Sequence, residues 1–156
     1  MTIAIVGGGK MGMSHLAIAT QYAGKRGVVL CDPKLSTRYL FWRLGYRTFP
    51  SLDAAIRRGG ISGVIIATPT GSHGALADTA LDRNIPCFVE KPLTLDVARS
   101  EALAAKARAA GTVAQMGFVL RYVASFLKLQ ELVVGGQLGK VMGYTATMAG
   151  NVISGS

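Results

Sequence analysis

The sequence predicts an α/β fold, a doubly wound parallel sheet. Three observations carry this. Short apolar runs at 3–6, 28–30, 63–67 and 85–89 alternate with longer stretches of helical spacing, as expected for strands joined through helices. Half the residues are hydrophobic and only 16% are charged, which suits strands buried on both faces and excludes a disordered chain. The first run also breaks directly into Gly7-Gly-Gly9-Lys-Met-Gly12, and a helix-compatible stretch follows.

That last unit organises the chain. Ile3 to Val6 is apolar and β-branched enough for a buried strand. Gly7 permits the tight turn, Gly9 lets the backbone approach a pyrophosphate, and Gly12 lets the helix pack closely on its strand. The phosphates would sit at the helix N-terminus, where unpaired N–H groups and the positive dipole end meet. With 20 glycines in 156 residues, such a spacing can arise by chance. Its context makes it specific. A second apolar run, Val28 to Leu30, ends in Cys31-Asp32, about 20 residues after the last glycine, where an acidic side chain accepts from ribose hydroxyls. The resulting expectation is a Rossmann-type site for NAD. Asp32 would repel a 2′-phosphate, and Pro33-Lys34 place no arginine directly beside it. Lys34 and Arg38 are near enough to leave NADP open.

The remaining elements follow in order. Ser14 to Ala23 is the first helix, with Met13, Leu16, Ala17 and Tyr22 near helical spacing and Gly24 as its stop. Lys34 to Leu44 is the second, stopped by Gly45. The aromatics Tyr39, Phe41, Trp42, Tyr46 and Phe49 are expected to pack at the sheet edge, and Tyr46 to Phe49 forms a short strand. Ser51 caps a helix over Leu52 to Arg58, which ends at Gly59-Gly60. Gly63 to Ala67 is a buried strand, ended by Thr68-Pro69-Thr70-Gly71-Ser72-His73 because Pro69 cannot continue a ladder. A helix runs from Gly74 to Asp82, and Ile85 to Val89 is the next strand. Glu90-Lys91-Pro92 follows it directly, and charges at the end of a buried strand are costly unless paired or used. Lys91 there could polarise or protonate a carbonyl oxygen while hydride moves. Thr94 caps a helix over Leu95 to Ala110, Thr112 to Met116 is a strand, and an amphipathic helix runs through Val134. Lys140 to Met148 has β-rich character and is predicted as a further strand.

Net charge is +9, from 17 basic and 8 acidic residues. No basic run exceeds two residues, which argues against a nucleic-acid surface. No apolar span reaches the roughly 18 residues of a membrane helix, and no basic segment precedes the first strand, so no leader is expected. Cys31 and Cys87 lack metal-ligand spacing and read as small buried hydrophobes of a reducing cytoplasm. No metal site is expected.

These pieces together resemble the Gfo/Idh/MocA oxidoreductases. The resemblance rests on Gly7 to Gly12, Asp32-Pro33, Ala67-Thr-Pro-Thr-Gly-Ser-His73, Glu90-Lys-Pro92, Gly117-Phe-Val-Leu-Arg-Tyr122 and Gly139-Lys-Val, of which Glu90-Lys91-Pro92 is the most discriminating. It implies NAD(P)-dependent enzymes acting on sugars, cyclitols, sugar nucleotides or related hydroxy compounds. It implies that Gly7, Gly9, Lys10, Met11 and Gly12 hold the pyrophosphate, and that Asp32 holds the adenosine ribose. Thr68, Pro69, Thr70 and His73 would lie along the cofactor. Glu90 and Lys91 would sit near the nicotinamide, with Lys91 the catalytic residue, and Arg121 would approach cofactor or substrate. Where the family often shows Asn and Pro after the Arg-aromatic pair, this chain has Val123-Ala124-Ser125. The family also has a C-terminal α/β domain that completes the catalytic centre. The expectation is therefore residues 1–119 as the cofactor domain, and 120–156 as a linking helix and first strand of a truncated substrate domain. Such a chain would bind cofactor without being catalytically complete. A non-catalytic NAD(P)-binding or regulatory module is the alternative. The exposed strand Val141 to Met148 would favour homo-oligomers.

Overall fold

The computed structural model describes residues 1–147. Six parallel strands form one sheet: β1 Thr2–Val6, β2 Val28–Cys31, β3 Arg47–Phe49, β4 Ile61–Ile66, β5 Cys87–Val89 and β6 Ala114–Met116. Their spatial order is β3-β2-β1-β4-β5-β6. The chain winds outward from β1 in one direction through β2 and β3, then returns to β4 on the other side. The carboxyl ends of β1 and β4 therefore diverge into loops that leave a crevice at the reversal. Register is continuous there, with Ile5 opposite Leu30 on one side and opposite Ile65 on the other.

Alternation along the strands builds two cores. Ala4, Val6, Val29, Cys31, Val64 and Ile66 face α3 (Leu52–Arg58), α4 (His73–Leu81) and α5 (Val97–Ala110). Ile5, Val28 and Leu30 face α1 (Lys10–Ala23) and α2 (Leu35–Arg43). Both faces are covered, so the strands read as apolar runs rather than as alternating ones. Each fully buried Ile, Leu or Val is worth ~1.5–3 kcal/mol, and this burial holds the loop ends in place.

Several local expectations are corrected. α1 begins at Lys10, not Ser14, because Gly9 is extended (φ −74°, ψ −173°) and its carbonyl accepts the first helical bond from Met13 at 2.9 Å. Its buried stripe is Gly12, Leu16 and Ala19, while Met13 and Tyr22 are exposed. α5 is capped by Asp96, whose carboxylate accepts from the Arg99 N–H at 3.2 Å. Thr94 instead accepts from the Asp96 N–H at 3.0 Å, which sets the turn that delivers the cap. Ser51 caps α3 as expected, accepting from the Ala54 N–H. Of the aromatics, Phe41 is buried against Tyr46, whereas Tyr39 and Trp42 pair with each other on the exposed side of α2.

The backbone divides into two units, Met1–Phe118 and a second beginning at Val119. Within the second, a 3-10 turn, Val119–Tyr122, precedes α6, Ala124–Val134. α6 keeps Phe126, Leu127 and Leu129 exposed. Residues 141–147 form no strand. A strand exists only with a ladder partner, and none pairs with this segment among the described residues, so the edge on which self-association is expected is not formed there. Met148 lies outside the described residues. No helix among them is long and apolar enough to cross a membrane.

Candidate functional site

A crevice of about 880 Å³ opens where the strand order reverses. The glycine loop forms its floor. Gly7 adopts φ +99°, and a Cβ there would lie 2.6 Å from the Ala67 carbonyl oxygen. The end of β4 thus requires glycine twice over, by conformation and by space. A Cβ on Gly12 would lie 1.8 Å from the Gly7 carbonyl oxygen, so the first turn of α1 packs directly on the loop. Gly9 differs, since nothing lies within 4 Å of its would-be Cβ. Its open face and the N–H groups of Lys10 and Met11 stand at a helix end with no side-chain cap and no acidic residue in the first turn. That is the arrangement that receives an anion. Lys10 adds a positive charge beside it.

Asp32 forms one wall. Its residue is 8% exposed. Oδ2 accepts from the Gly8 N–H and Oδ1 from the Lys34 N–H, both at 2.8 Å. The carboxylate is thereby fixed in orientation, with lone pairs left for a ligand hydroxyl. Gly8, a variable position in the glycine spacing, is constrained as well: a Cβ there would lie 2.4 Å from Thr37 Cγ2 and 3.1 Å from Asp32 Oδ2. Arg38 Nη1 donates to the carbonyls of Asp32 and Pro33, at 2.9 and 2.8 Å, so the guanidinium braces this turn.

Among the expected residues, Gly7, Gly9, Lys10, Met11, Asp32, Thr68 and Pro69 line the crevice. Gly12 supports it from beneath. Thr70 opens a 3-10 turn, Thr70–Ser72, in which Ser72 Oγ lies 2.7 Å from Thr68 Oγ1. Pro50, Ser51, Ser72 and Leu76 also line it and were not singled out from sequence as site residues. The rule that ligands sit at carboxyl ends of strands would have found Pro50 and Ser51, which follow β3.

His73, Glu90 and Lys91 lie outside this lining. His73 is 1% exposed. Its Nδ1 is 2.7 Å from the Pro92 carbonyl and its Nε2 is 2.7 Å from the Thr68 carbonyl. The ring is committed to main chain and cannot also face a ligand. Glu90, 8% exposed, pairs through Oε1 with His15 Nε2 at 2.8 Å. His15 was not identified from sequence, although it follows Gly12 on α1. Lys91 is exposed and, among the described residues, makes no hydrogen bond or ion pair. Arg121 belongs to the 3-10 turn of the second unit. Burial pushes the Cys31 thiol up to about 12 and raises that of Cys87, which leaves both unreactive. Among the described residues, no cluster of three or more His, Cys, Asp or Glu could hold a metal.

An uncapped helix N-terminus beside a fixed carboxylate suits a ligand carrying both phosphate and ribose. Comparison with known proteins agrees. Residues 1–118 match a family model described as an oxidoreductase family with an NAD-binding Rossmann fold. The scyllo-inositol 2-dehydrogenase (NAD(+)) of Bacillus subtilis is 31% identical over 144 residues, 90% of this chain and 42% of the relative. The UDP-N-acetylglucosamine 3-dehydrogenase of Acidithiobacillus ferrooxidans is 32% identical over 124 residues, 78% of this chain and 38% of the relative. Among solved structures, the myo-inositol 2-dehydrogenase of Lactobacillus plantarum superposes with a TM-score of 0.77 at 25% identity, over 90% of this chain and 43% of the other. GenD2 from gentamicin A biosynthesis, in complex with NAD, superposes with a TM-score of 0.76 at 28% identity, over 88% and 40%. The chain thus spans less than half the length of each of these proteins.

Proposed function

The chain belongs to the Gfo/Idh/MocA oxidoreductase family, and from that premise we propose that it is the cofactor-binding part of an NAD-dependent dehydrogenase of polyols, cyclitols or sugar nucleotides. The observation that carries this reading is the open Gly9 face at the uncapped start of α1, with Asp32 held 2.8 Å from the Gly8 N–H in the same crevice. The names of the relatives support the substrate class. When bound, NAD supplies the hydride acceptor.

In this reading the N–H groups of Lys10 and Met11 bind the pyrophosphate and Gly9 gives it room. Asp32 accepts from the ribose hydroxyls and repels a 2′-phosphate. Arg38, occupied with the carbonyls of Asp32 and Pro33, stabilises that turn rather than a phosphate, so NAD is preferred over NADP. Thr68, Pro69 and Thr70 run along the cofactor. Lys91 stands at the reacting end with a free ammonium, able to hold or move a proton at the substrate oxygen as the carbon changes oxidation state. Glu90 sets the position of its neighbour, and Arg121 approaches cofactor or substrate. Residues 1–119 are the cofactor domain, and 120–156 lead towards a substrate domain. A chain spanning 42% of its relative is expected to bind NAD without turning over substrate.

Calorimetric titration with NADH and then NADPH tests this. NADH should bind at least ~10-fold tighter, a difference of ~1.4 kcal/mol. Absence of binding to either would overturn the proposal.

A further inference from the structure

The chain contains two histidines, and each is bonded to a residue next to Lys91. His15 lies on α1, on the face of the sheet that packs against Ile5 and Leu30. His73 opens α4 on the opposite face. The two rings reach the segment after β5 from different sides of the sheet, one at Glu90 and the other at Pro92. We propose that His15 and His73 are positioning residues for Lys91, the first holding the carboxylate of Glu90 before it and the second the carbonyl of Pro92 after it, so that its ammonium swings from a fixed root. The proposal rests on the reading of Lys91 as the residue at the reacting end.

The geometry supports a grip at both points. His15 packs edge-on against Phe88 of β5, with ring centroids 5.2 Å apart at 61°. Its Nε2 then meets the Glu90 carboxylate at 2.8 Å. Glu90 is further held by its own N–H, which donates to the Ile66 carbonyl at 2.9 Å. His73 spans two loops. It is 2.7 Å from the Thr68 carbonyl, beside the crevice, and 2.7 Å from that of Pro92. Both partners can only accept, so each bond is made by an N–H on the ring nitrogen that faces it. The loop after β4 is thereby tied to the loop after β5.

A lysine needs such help. Its side chain has several rotatable bonds, and holding its tip costs rotamer entropy. Lys91 has no partner of its own among the described residues, so precision at Nζ must come from its backbone. A displacement of about 1 Å at a reacting group can cost on the order of 100-fold in rate.

The test is 15N relaxation of the whole chain, read at the Lys91 amide, with NADH affinity measured in parallel. Wild type should show an order parameter near ~0.85 at Lys91, the level of rigid backbone. In His15→Leu and in His73→Gln it should fall below ~0.6, while glycine-loop amides keep their values and NADH affinity in His15→Leu stays within ~3-fold. His15→Gln restores an N–H donor to Glu90 and should recover the wild-type value, which a purely packing role for the ring would not produce. A mobile Lys91 amide in wild type would overturn the proposal without any variant. So would an unchanged value in both folded variants. Failure of wild type to bind NADH sinks the functional reading alone, since the anchoring of Lys91 is read separately.

Discussion

Gly9 and Gly12 are three residues apart in one motif, yet the structure assigns them opposite sensitivities. At Gly9 the backbone is extended (φ −74°, ψ −173°) and no atom lies within 4 Å of the position a methyl would take. Alanine fits there without strain. Reduced freedom of the unfolded chain favours it by ~0.4–1 kcal/mol, and the loss of a good N-cap costs a similar ~0.5–1 kcal/mol. The two nearly cancel, so Gly9→Ala should melt within ~4 °C of wild type. Its methyl, however, stands where the pyrophosphate must approach, and NADH affinity should fall at least ~10-fold. Gly12→Ala places a Cβ 1.8 Å from the Gly7 carbonyl oxygen, far inside contact distance. Relief requires moving α1 off β1, at a cost of ~3 kcal/mol or more. That is a large share of the roughly 5–15 kcal/mol that holds a domain together. Thermal melts followed by circular dichroism, with calorimetry on whatever folds, separate the two. Wild-type NADH affinity in Gly9→Ala, or a wild-type melt in Gly12→Ala, would refute the reasoning.

Two further outcomes follow from charge. Asp32→Ala removes the acceptor of two N–H groups, Gly8 and Lys34; it should cost about 2 kcal/mol in urea denaturation and abolish the preference for NADH over NADPH. Asp78 on α4 is held below the usual carboxylate range, first by its hydrogen bond from Lys106 and then by Arg99. A depressed folded value means that its stabilisation is present above the unfolded carboxylate value and is lost as pH falls through the lower folded one. Urea midpoints should therefore drop as pH falls below about 5 and on through the lower folded value, and drop less in Lys106→Gln. Because these groups are partly exposed, the difference should shrink further in about 1 M salt.

How much of the site was legible in the sequence depended on the range of the interaction concerned. Gly7 and Gly12 were legible because a strand that turns at once into a helix needs a positive φ and a close approach, and few residues other than glycine supply both. The membership of Gly8 in the same constraint was not, because its steric partner, Thr37, and its carboxylate partner, Asp32, come from the next βα unit. Thr94 and Asp96 are both good caps by composition, and only the turn between them decided which one faced the helix. His73 reads from sequence as a ligand-facing residue at a crevice loop. Its burial and its two carbonyl partners place it behind that loop.

By itself the sequence determined the α/β class, the order of strands and helices, the glycine turn and the acidic residue at the end of β2. Hydrophobic period, turn chemistry and backbone conformation are properties of neighbouring residues, so they are written locally. Only the tertiary structure decided that His15 meets Glu90 across 75 positions, that His73 joins the loops after β4 and β5, and that residues 141–147 have no strand to pair with among the described residues. Each of these depends on which distant segment the sheet order brings alongside, and no local pattern encodes the identity of that neighbour.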